Sequence, residues 1–562
     1  VLLAATACAF VGAPAGYVTP SAPQWPRTLC RMPTRSLSMQ QPPPPPPPPP
    51  TARRRDGGDD GESPLDIMWA FIARAARAAA DVAMKRRRGL LRALPLLPVV
   101  GYATYRPFRR AIRTQRSIVP ILVRLHLFER RAFEDEATRL AARDALDDVL
   151  STDFADFIGR MRGAFVKVAQ VLGSFEPAPV RPAYVKKLEP MVDAAPGGRP
   201  WRRVRRQLNR ELKRAGAGSI DEVFSEFDRE PIGTASVGQV HRAVLRSSGR
   251  VVAVKLQYPD ARSLILSDLG NIHRVLKTLR KEAEAGVVVE YRKRMSMEFD
   301  YVTEARTMNA VAEFFEGGPA LRTGITSRVA VPKCLVELST RKLLVMDFIE
   351  GGSLRDSLRA KVAAAERHSI VFRLPMLLRV QHLAKTQLRT LLNAQAQQIF
   401  RLGTFNADPH PGNVILRPHG RGIGLLDFGC SKTLSPAQRA SLARLYVALS
   451  TKDEAAIASA AVEMGMRTRH MGSAASNHVL VSFATHFFDR DLTTMSPPAY
   501  LLSLKAIEPI TALPNEYMMV ARSSLLLRGL GAKVRAPQKV SQVWASEARR
   551  YLKAYEASEG MA

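Results

Sequence analysis

The sequence predicts an α+β protein in which a strand-rich segment separates two helical regions. Residues 64–218 are rich in Ala, Leu and Arg and poor in β-branched runs, a composition typical of helices. From Ile220 onward, short apolar runs bounded by turn residues indicate strands. Beyond about residue 350, helical segments surround two further short strands, and the C-terminal part of the chain is again helical in pattern.

Composition excludes several classes of protein. Of the 562 residues, 46% are hydrophobic, too many for a wholly disordered or collagen-like chain. The four cysteines include no pair at C-x-x-C spacing, which excludes a disulfide scaffold, a zinc ribbon and a thioredoxin motif. After the first eighteen positions no charge-free apolar run approaches the roughly 18–20 residues that would cross a bilayer. The chain is therefore expected to be soluble or peripheral to a membrane.

The charge balance predicts an anionic partner. With 83 basic and 51 acidic residues the formal charge is +32, carried in clusters such as residues 85–88 and 202–206. Lys and Arg bind anionic lipid surfaces, so a membrane is one candidate partner, and a merely solvated basic surface is the other. Nucleic acid is disfavoured, because the clusters lack interleaved aromatic residues and no nucleic-acid-binding module accompanies them.

Residues 1–55 are predicted to form a targeting presequence with a polyproline segment. They contain no Asp or Glu, and an apolar start is followed by a Ser/Thr/Pro-rich tract that carries arginines. The run from Ala9 to Ala13, with Phe10 among small residues, is similar to the cleavage-site motif of bipartite plastid presequences. A plastid is therefore the expected compartment, with a mitochondrial or secretory presequence as the alternative. Nine prolines at 42–50 predict a polyproline II spacer, and residues 56–63 continue it as a linker.

The clearest helix is predicted at residues 152–174, because its apolar residues form a single stripe at helical spacing. On the opposite face Gly163, Lys167, Gln170 and Ser174 form a second seam, whose two small residues would let another element approach closely. A helix is also predicted at 291–315. Strands are predicted at 222–227, 239–245, 251–257, 329–337, 342–348, 414–416 and 423–426.

Three motifs in the order found in protein kinases carry the chemistry. A predicted strand ends Val-Ala-Val-Lys at Lys255, which matches the kinase V-A-I-K strand. Asp408 is followed five positions later by Asn413, the spacing of the kinase catalytic loop. Asp427 opens a D-F-G sequence after a strand, where an Asp can hold Mg²⁺ against nucleotide phosphates. Together they predict a two-lobed protein-kinase-like fold that binds ATP and Mg²⁺, with Asn413 and Asp427 as the metal ligands.

The expected glycine-rich loop is replaced by a stiffer segment. Gly233, Thr234, Ala235 and Ser236 stand where a protein kinase would have G-x-G-x-x-G, and they offer hydroxyls in place of a flexible backbone. This departure argues against ordinary protein phosphorylation but not against nucleotide binding. These four residues and Lys255 are predicted to contact the nucleotide, together with two residues of the strand predicted at 342–348, Met346 and Phe348.

Over roughly residues 153–451 the sequence resembles the UbiB/aarF-domain atypical kinases. The most specific match is Asn406-Ala407-Asp408-Pro409-His410-Pro411-Gly412-Asn413, which corresponds to the family string H-A-D-P-H-P-G-N. The alanine-rich loop and the following S-x-G-Q-V-H match residues 233–241. The family's K-x-G-Q motif matches residues 167–170, and its E-x-D motif matches residues 298–300.

The resemblance implies a role for each matching residue. Lys255 would pair with Glu304 and the α- and β-phosphates, and Asp408 would occupy the place of the catalytic base. Asp300 and Glu304 are four residues apart and are expected to share a helix face. Glu298 would pair with Lys167, so that the helix carrying Lys167 and Gln170 covers the active site; a solvated helix face is the alternative for those two residues.

Three departures from the family pattern stand out. Asn406 replaces the first His of the family string, a position expected to orient the loop. Ala169 replaces the Gly of K-x-G-Q, and Gly233 and Thr234 replace two loop alanines. For His241 and His410 structural hydrogen bonding is expected rather than proton transfer, because Asp408 already fills that role.

The predicted organisation follows from these motifs. After the presequence and linker come a helical extension at 64–218, which includes the K-x-G-Q-like helix, a kinase-like N-lobe at 219–350 and a kinase-like C-lobe at 351–470. A helical C-terminal region occupies 471–562. The resemblance implies a Mg²⁺-ATP-dependent atypical kinase or ATPase in isoprenoid quinone or prenyl-lipid metabolism, at an anionic membrane or prenyl-lipid surface on the thylakoid or plastoglobule periphery.

Two other functions remain open from the sequence. One is a non-catalytic scaffold for lipid-biosynthetic enzymes, switched by nucleotide, which the atypical loop and the covering helix would suit. The other is a small-molecule phosphotransferase, which shares the Asp408, Asn413 and Asp427 arrangement but lacks the Lys167-x-x-Gln170 motif and the alanine-rich loop.

Overall fold

The structure is a computed structural model. It describes residues 106–161, 165–166, 181–193, 198–234, 237–278, 286, 288–289, 292, 299–317, 328–534 and 536–559. The predicted presequence, polyproline segment and linker lie outside these residues. Within the described part of the chain no helix is both long enough and apolar enough to cross a membrane.

Three helices precede the sheet domain: α1 (Arg106–Glu129), α2 (Glu136–Met161) and α3 (Pro182–Asp193). The predicted helix at 152–174 is confirmed where it is described, at 152–161 and 165–166, but α2 begins sixteen residues earlier. The reason is that α2 buries Arg143 and Asp147 as an ion pair 3.2 Å apart, where the sequence pattern would have needed apolar residues. A paired charge can be buried without showing in the hydrophobic periodicity.

Helix α4 (Trp201–Arg214) packs its apolar side on the sheet of the N-lobe. Val204, Leu208 and Leu212 share a core with Val252, Val254 and other residues of one sheet face. A helical turn, α5 (Ile220–Val223), then leads into the first strand. The strand predicted at 222–227 therefore begins two residues late, because Ser219 and Glu222 form a capping box that starts a helix there.

The N-lobe sheet is antiparallel and five-stranded. It comprises β1 (Phe224–Phe227), β2 (Gly233–Thr234), β3 (Gly238–Leu245), β4 (Val251–Gln257) and β6 (Leu343–Asp347), with β1 and β2 both pairing with β3. Between β4 and β6 the chain forms α6 (Ala261–Thr278), α7 (Tyr301–Gly317) and β5 (Val329–Ala330). Since alternate residues face opposite ways, Val252 and Val254 contact α4, while Ala253 and Lys255 face the other side.

Two predicted elements near α7 are shorter than expected. The helix predicted at 291–315 is interrupted, since residues 299–300 are not helical and the Asp300 carboxylate caps α7 by accepting the Val302 N–H at 3.1 Å. The strand predicted at 329–337 ends at Ala330. Pro332 lacks an N–H to donate, and the backbone of Cys334 bonds instead to the Asn309 side chain, at 2.7 and 3.0 Å.

The C-lobe begins with β7 (Gly352–Ser353), α8 (Leu354–Glu366) and α9 (Ile370–Gln397), and continues through four short strands. These are β8 (Thr404–Asn406), β9 (Val414–Leu416), β10 (Ile423–Leu425) and β11 (Ser431–Thr433). Strand β10 pairs with β9 and, in parallel, with β5, whereas β8 pairs with β11. The strands predicted at 414–416 and 423–426 are thus confirmed, the second one residue shorter.

The remaining chain is mainly helical: α10 (Pro436–Thr451), α11 (Glu454–Glu463), α12 (Ala474–Ala484), α13 (Pro497–Ile507), α14 (Asn515–Lys533) and α15 (Val540–Glu559). A two-stranded sheet joins β12 (Arg467–Thr468) to β13 (Ile510–Ala512). Helix α15 packs against α10 and α9, and it buries Trp544 completely. The α+β, two-lobed kinase-like fold is confirmed.

Candidate active site

The site is built around Lys255 at the centre of β4. Its neighbours across the sheet are Val240 of β3 and Leu344 of β6, so the backbone at this position is held on both sides. The Nζ atom donates to Glu304 Oε1 of α7 at 2.8 Å and lies 3.7 Å from Asp427 Oδ2. It also lies 5.0 Å from the centre of the Tyr301 ring, a cation–π contact. The Lys255–Glu304 pair predicted from the sequence is therefore formed.

Burial and charge act against each other in this cluster. Burial raises the pKa of Glu304 to about 7, with the Lys255 cation opposing the rise and Asp427 adding to it. Burial lowers the pKa of Lys255, but the carboxylates of Asp427 and Glu304 outweigh it and leave that pKa well above its usual value. Lys255 accordingly remains a cation, placed between two carboxylates.

The structure brings Asn413 and Asp427 together, as the two predicted metal ligands require. Asn413 Nδ2 donates to Asp427 Oδ2 at 3.4 Å, and the two backbones are joined because Leu426 N–H donates to the Asn413 carbonyl at 3.0 Å. The other carboxylate oxygen of Asp427 accepts the Gly429 N–H at 2.9 Å. This turn fixes the Asp427 side chain at the edge of the Lys255 cluster.

The donor set fits magnesium held jointly with phosphate. Carboxylate and amide oxygens suit a hard cation, and Mg²⁺ commonly takes only one or two carboxylates together with nucleotide phosphates. In the described residues no group of three or more His, Cys, Asp or Glu side chains could enclose a metal ion. Asn413 and Asp427 would therefore hold the ion only as part of a shared site.

Asp408 has a partner that the sequence did not indicate. Its Oδ2 atom lies 2.9 Å from an Arg522 guanidinium nitrogen of α14, 114 residues further along the chain. Both side chains are about four-fifths buried, at 21% and 19% exposure. No local motif marks Arg522, so periodicity and spacing could not have found it. Tyr301 was missed too, but it lies three residues before Glu304 on the same helix, a spacing that could have drawn attention to it.

Asn406 orients the catalytic loop, as predicted for this departure from the family string. Its side-chain oxygen accepts the Asp408 N–H at 2.8 Å, and its amide donates to the Asp427 carbonyl at 2.7 Å. One side chain thus links the loop that carries Asp408 to the strand end that carries Asp427. Both histidines form hydrogen bonds of the kind expected: buried His241 contacts the Asp228 carbonyl and Gln239, and His410 accepts the Gly412 N–H.

The phosphate-loop segment is only partly described. Gly233 and Thr234 form β2 and pair with Val240 and Gln239, whereas Ala235 and Ser236 lie outside the described residues. Position 238, after this segment, has no room for a side chain, because a Cβ on Gly238 would lie 2.5 Å from the Leu256 carbonyl oxygen. The chain that leaves the loop therefore packs directly against β4 at Leu256, the residue next to Lys255.

The other predicted site residues are placed as follows. Met346 lies opposite Ala253 on the sheet face that carries Lys255 but is only 4% exposed, and Phe348 follows β6 and is half-buried. Asp300 does not share a helix face with Glu304: it precedes α7 as a cap, and its carboxylate lies 3.9 Å from Arg341. Lys167, Gln170 and Glu298 lie outside the described residues, and their pairing stays a prediction.

The part of the chain that forms this site is similar in sequence to known proteins. The family model of the ABC1 atypical kinase-like domain matches residues 198–461. AarF domain-containing protein kinase 1 of Xenopus tropicalis is 32% identical over 301 residues, which cover 52% of this chain and 51% of that protein. An aarF domain-containing protein kinase of Arabidopsis thaliana, described as chloroplastic, is 30% identical over 319 residues, covering 55% and 53%.

A further Arabidopsis thaliana protein, chloroplastic ACTIVITY OF BC1 COMPLEX KINASE 3, is 31% identical over 305 residues, which cover 53% of this chain and 38% of that protein. The chain thus spans about half the length of the first two relatives. The matched domain contains Lys255, Glu304, Asp408, Asn413 and Asp427, the residues that the structure assembles. The chain therefore carries an ABC1 atypical kinase-like domain at residues 198–461, and it is similar to the aarF domain-containing protein kinases.

Proposed function

We propose that this protein is a Mg²⁺-ATP-dependent atypical kinase or ATPase. The observation that carries the proposal is the cluster in which Lys255 lies 2.8 Å from Glu304 and 3.7 Å from Asp427, with Asn413 beside Asp427. A buried cation held by one carboxylate and facing a second, more exposed one is suited to receive the phosphates of a nucleotide.

Each side chain has a distinct task in this proposal. Lys255 neutralises phosphate charge, and Glu304 holds its ammonium group in place. Asn413 and Asp427 hold Mg²⁺, which supplies positive charge to the phosphates when bound. Asp408 lies where an acceptor hydroxyl or water could give up its proton. Asn406 holds the backbone N–H of Asp408, and Arg522 holds its carboxylate.

The setting is proposed from the family and from the charge of the chain. We infer action at an anionic membrane surface in isoprenoid quinone or prenyl-lipid metabolism, near the lipid-biosynthetic enzymes that it would serve. The +32 charge supports an anionic surface, and the chloroplastic relatives support a plastid. A fluorescent fusion carrying residues 1–60 should label plastids, and labelling of mitochondria alone would refute that compartment.

The catalytic proposal is tested by Asp427→Asn in the full chain. We expect Mg²⁺-dependent ATP hydrolysis in the presence of lipid vesicles to be abolished, because the amide removes a metal-binding charge. The matched control is Asp148→Asn, the same chemical change at an exposed position on α2. Equal turnover by Asp427→Asn and the parent chain would contradict the proposal.

One observation favours a second function, a nucleotide-switched scaffold. The Asp408 carboxylate is engaged by Arg522 rather than presented alone, an arrangement that a non-catalytic protein could also keep. Complementation of a deletion strain by an Asp408→Ala variant distinguishes the two functions, provided that the variant still binds nucleotide. Full rescue would favour the scaffold, and failure to rescue would favour the enzyme.

A further inference from the structure

A basic cleft on the C-lobe is separate from the Lys255 site. It has a volume of about 920 Å³ and is bounded by helix α9, by Arg328 before β5, and by the turn between β9 and β10. The lining residues are Arg328, Leu378, Arg379, His382, Leu383, Thr386, Gln387, Arg417, Gly420 and Arg421. Four arginines and a histidine thus surround one cavity, with no carboxylate among the lining residues that the structure describes.

The tertiary fold builds this cleft from three distant segments. At Gly422 a Cβ would lie 2.0 Å from the Arg328 carbonyl oxygen, so the turn passes directly against the Arg328 backbone. On the other side Leu383 of α9 reaches to 3.5 Å from the Cβ position of Gly420. The turn itself is closed by Arg417 N–H donating to the Gly422 carbonyl at 3.0 Å. The arginines are therefore presented from a packed framework.

The charges in the cleft lack anionic partners within the described chain. None of Arg328, Arg379, Arg417 and Arg421 forms an ion pair with a described carboxylate. Helix α9 carries Arg373, Arg379, Lys385 and Arg389 over 28 residues and contains no Asp or Glu. Four arginines that converge without counter-charge favour an anionic ligand, and guanidinium groups bind phosphate oxygens in particular.

A buried polar atom points to the same cleft independently. Gln387 lines it, is only 3% exposed, and its Oε1 atom has no hydrogen-bond partner. A buried amide oxygen without a partner is costly, and rotation of the Gln387 side chain toward the cleft would let the O–H group of a ligand satisfy it. The cleft thus suits a ligand that carries both a phosphate and a hydroxyl group.

An exposed apolar strip leads from the mouth of the cleft along α9. Val371, Phe372, Leu374 and Leu378 are 71%, 65%, 60% and 56% exposed. Val371, Leu374 and Leu378 follow i, i+3 and i+7 spacing, and His382 continues that face into the cleft. A soluble anion would leave this strip in water, whereas a lipid would cover it with hydrocarbon.

We propose that the cleft binds the headgroup of an anionic phospholipid, with the apolar strip at 371–378 entering the hydrocarbon boundary. The phosphate lies among Arg379, Arg417 and Arg421, and a headgroup hydroxyl donates to Gln387. This site deepens the membrane part of the proposed function and rests on it. It gives the C-lobe a defined surface toward the bilayer.

The test measures binding of the full chain to vesicles of phosphatidylcholine with or without phosphatidylglycerol. The cleft variant carries Arg379→Gln, Arg417→Gln and Arg421→Gln. The control variant carries Arg229→Gln, Arg262→Gln and Arg469→Gln, which removes the same charge from exposed positions outside the cleft and outside the basic clusters. We expect roughly 100-fold weaker binding by the cleft variant to the anionic vesicles, from three arginines near the surface, and parental binding by the control.

A second measurement locates the contact. Hydrogen–deuterium exchange of the parent chain should slow at residues 371–387 and 417–421 when phosphatidylglycerol vesicles are added. Phe372→Ser with Leu374→Ser should weaken vesicle binding while leaving the four arginines in place. Equal losses by the cleft and control variants, or unchanged exchange in both segments, would overturn the proposal.

Two further outcomes would also overturn it by naming another occupant. The first is tight binding of soluble glycerol 3-phosphate with vesicle binding insensitive to Phe372→Ser and Leu374→Ser, which would indicate a free phosphate ester. The second is loss of oligonucleotide binding by the cleft variant with vesicle binding retained, which would indicate nucleic acid. ATP hydrolysis without vesicles is measured for each variant: the cleft variant should keep it, so failure of the lipid site and failure of the catalytic proposal are distinguishable.

Discussion

Lys255 and Glu304 form a buried pair whose members depend on each other. Their side chains are 14% and 3% exposed, and Asp427 brings a second negative charge to within 3.7 Å of Lys255 Nζ. Removing the cation leaves the Glu304 carboxylate buried without a counter-charge. A carboxylate in that position is costly, whereas an amide of the same shape is tolerated.

For this reason we expect Lys255→Met to lower the free energy of unfolding by about 3 kcal/mol and to abolish ATP hydrolysis. The double variant Lys255→Met with Glu304→Gln should recover most of the stability and none of the activity. Urea unfolding and an ATPase assay measure the two quantities. If the double variant loses as much unfolding free energy as the two single changes together, the two residues are not coupled.

Arg522 has a positioning role at Asp408. If it holds the catalytic carboxylate, Arg522→Ala should lower kcat by on the order of 100-fold while leaving the KM for ATP unchanged. Arg522→Lys keeps the charge and should retain part of the rate. Lys505→Ala, on the exposed side of α13, is the control for loss of a positive charge. A raised KM with unchanged kcat would instead place Arg522 at the nucleotide.

Among the structural elements, the π-helical turn at Thr485–Asp489 joins several C-terminal helices through polar contacts. Asp489 is fully buried and accepts the Ser541 N–H of α15 at 2.8 Å, while Arg528 of α14 donates to the His486 carbonyl at 2.6 Å. His486 Nδ1 accepts the Leu492 N–H at 3.3 Å. Burial, with the Arg528 charge adding to it, lowers the pKa of His486 to about 3.

This depressed pKa makes stability depend on pH in a defined direction. The unfolded chain takes up a proton at His486 near its ordinary pKa of 6.5, whereas the folded chain does so only near 3. The His486 contribution is therefore present above pH 6.5 and is lost progressively as the pH falls toward 3. At about 1.4 kcal/mol per pH unit, the loss between pH 6.5 and 5 is about 2 kcal/mol.

His486→Gln isolates the effect, since the glutamine keeps a hydrogen-bond acceptor but does not titrate. Urea unfolding at pH 7 and pH 5 should show the parent chain losing about 2 kcal/mol more than the variant. The comparison between variants is needed because Glu304, whose pKa is raised, acts in the opposite direction between its unfolded pKa of 4.5 and about 7. Parallel losses by parent and variant would contradict the assignment.

For the whole molecule, the C-terminal helices are part of the C-lobe core. Trp544 of α15 is fully buried, donates its indole N–H to the Leu392 carbonyl at 2.9 Å, and lies 4.9 Å from the Tyr446 ring centre. Arg401 lies in the π-helical turn Gln398–Leu402 that follows α9, and it joins this turn to Glu547 of α15 through two hydrogen bonds of 2.7 and 2.9 Å. We therefore expect a stable C-lobe to require the chain up to α15.

Trp544→Ala should lower the free energy of unfolding by about 3–5 kcal/mol, since it opens a large cavity in this core. Trp544→Phe keeps most of the volume and should cost about 1–3 kcal/mol, mainly for the lost hydrogen bond to the Leu392 carbonyl. Lys553→Ala, exposed on the same helix, should stay within about 0.5 kcal/mol of the parent. A small loss in Trp544→Ala would mean that α15 is dispensable to the lobe.

The fold and the central catalytic residues could be predicted from sequence because their signals are local. Strands β3, β4 and β6 follow from alternating apolar residues, and Lys255, Asp408, Asn413 and Asp427 from short motifs that the structure then gathers. The predicted element bounds that were wrong also depend on local features. The sequence pattern did not show that a capping box shortens β1, that Asp300 caps the start of α7, or that α2 extends through a buried ion pair.

The contacts decided only by tertiary structure join residues far apart in the chain. Arg522 reaches Asp408 across 114 positions, Trp544 reaches Leu392, and the cleft arginines come from α9, a turn and the segment before β5. Hydrophobic periodicity and capping residues report interactions within one element, where spacing along the chain sets spacing in the molecule. Which charged side chains meet between elements depends on how whole helices pack, and a long-range ion pair leaves no periodic trace in the sequence.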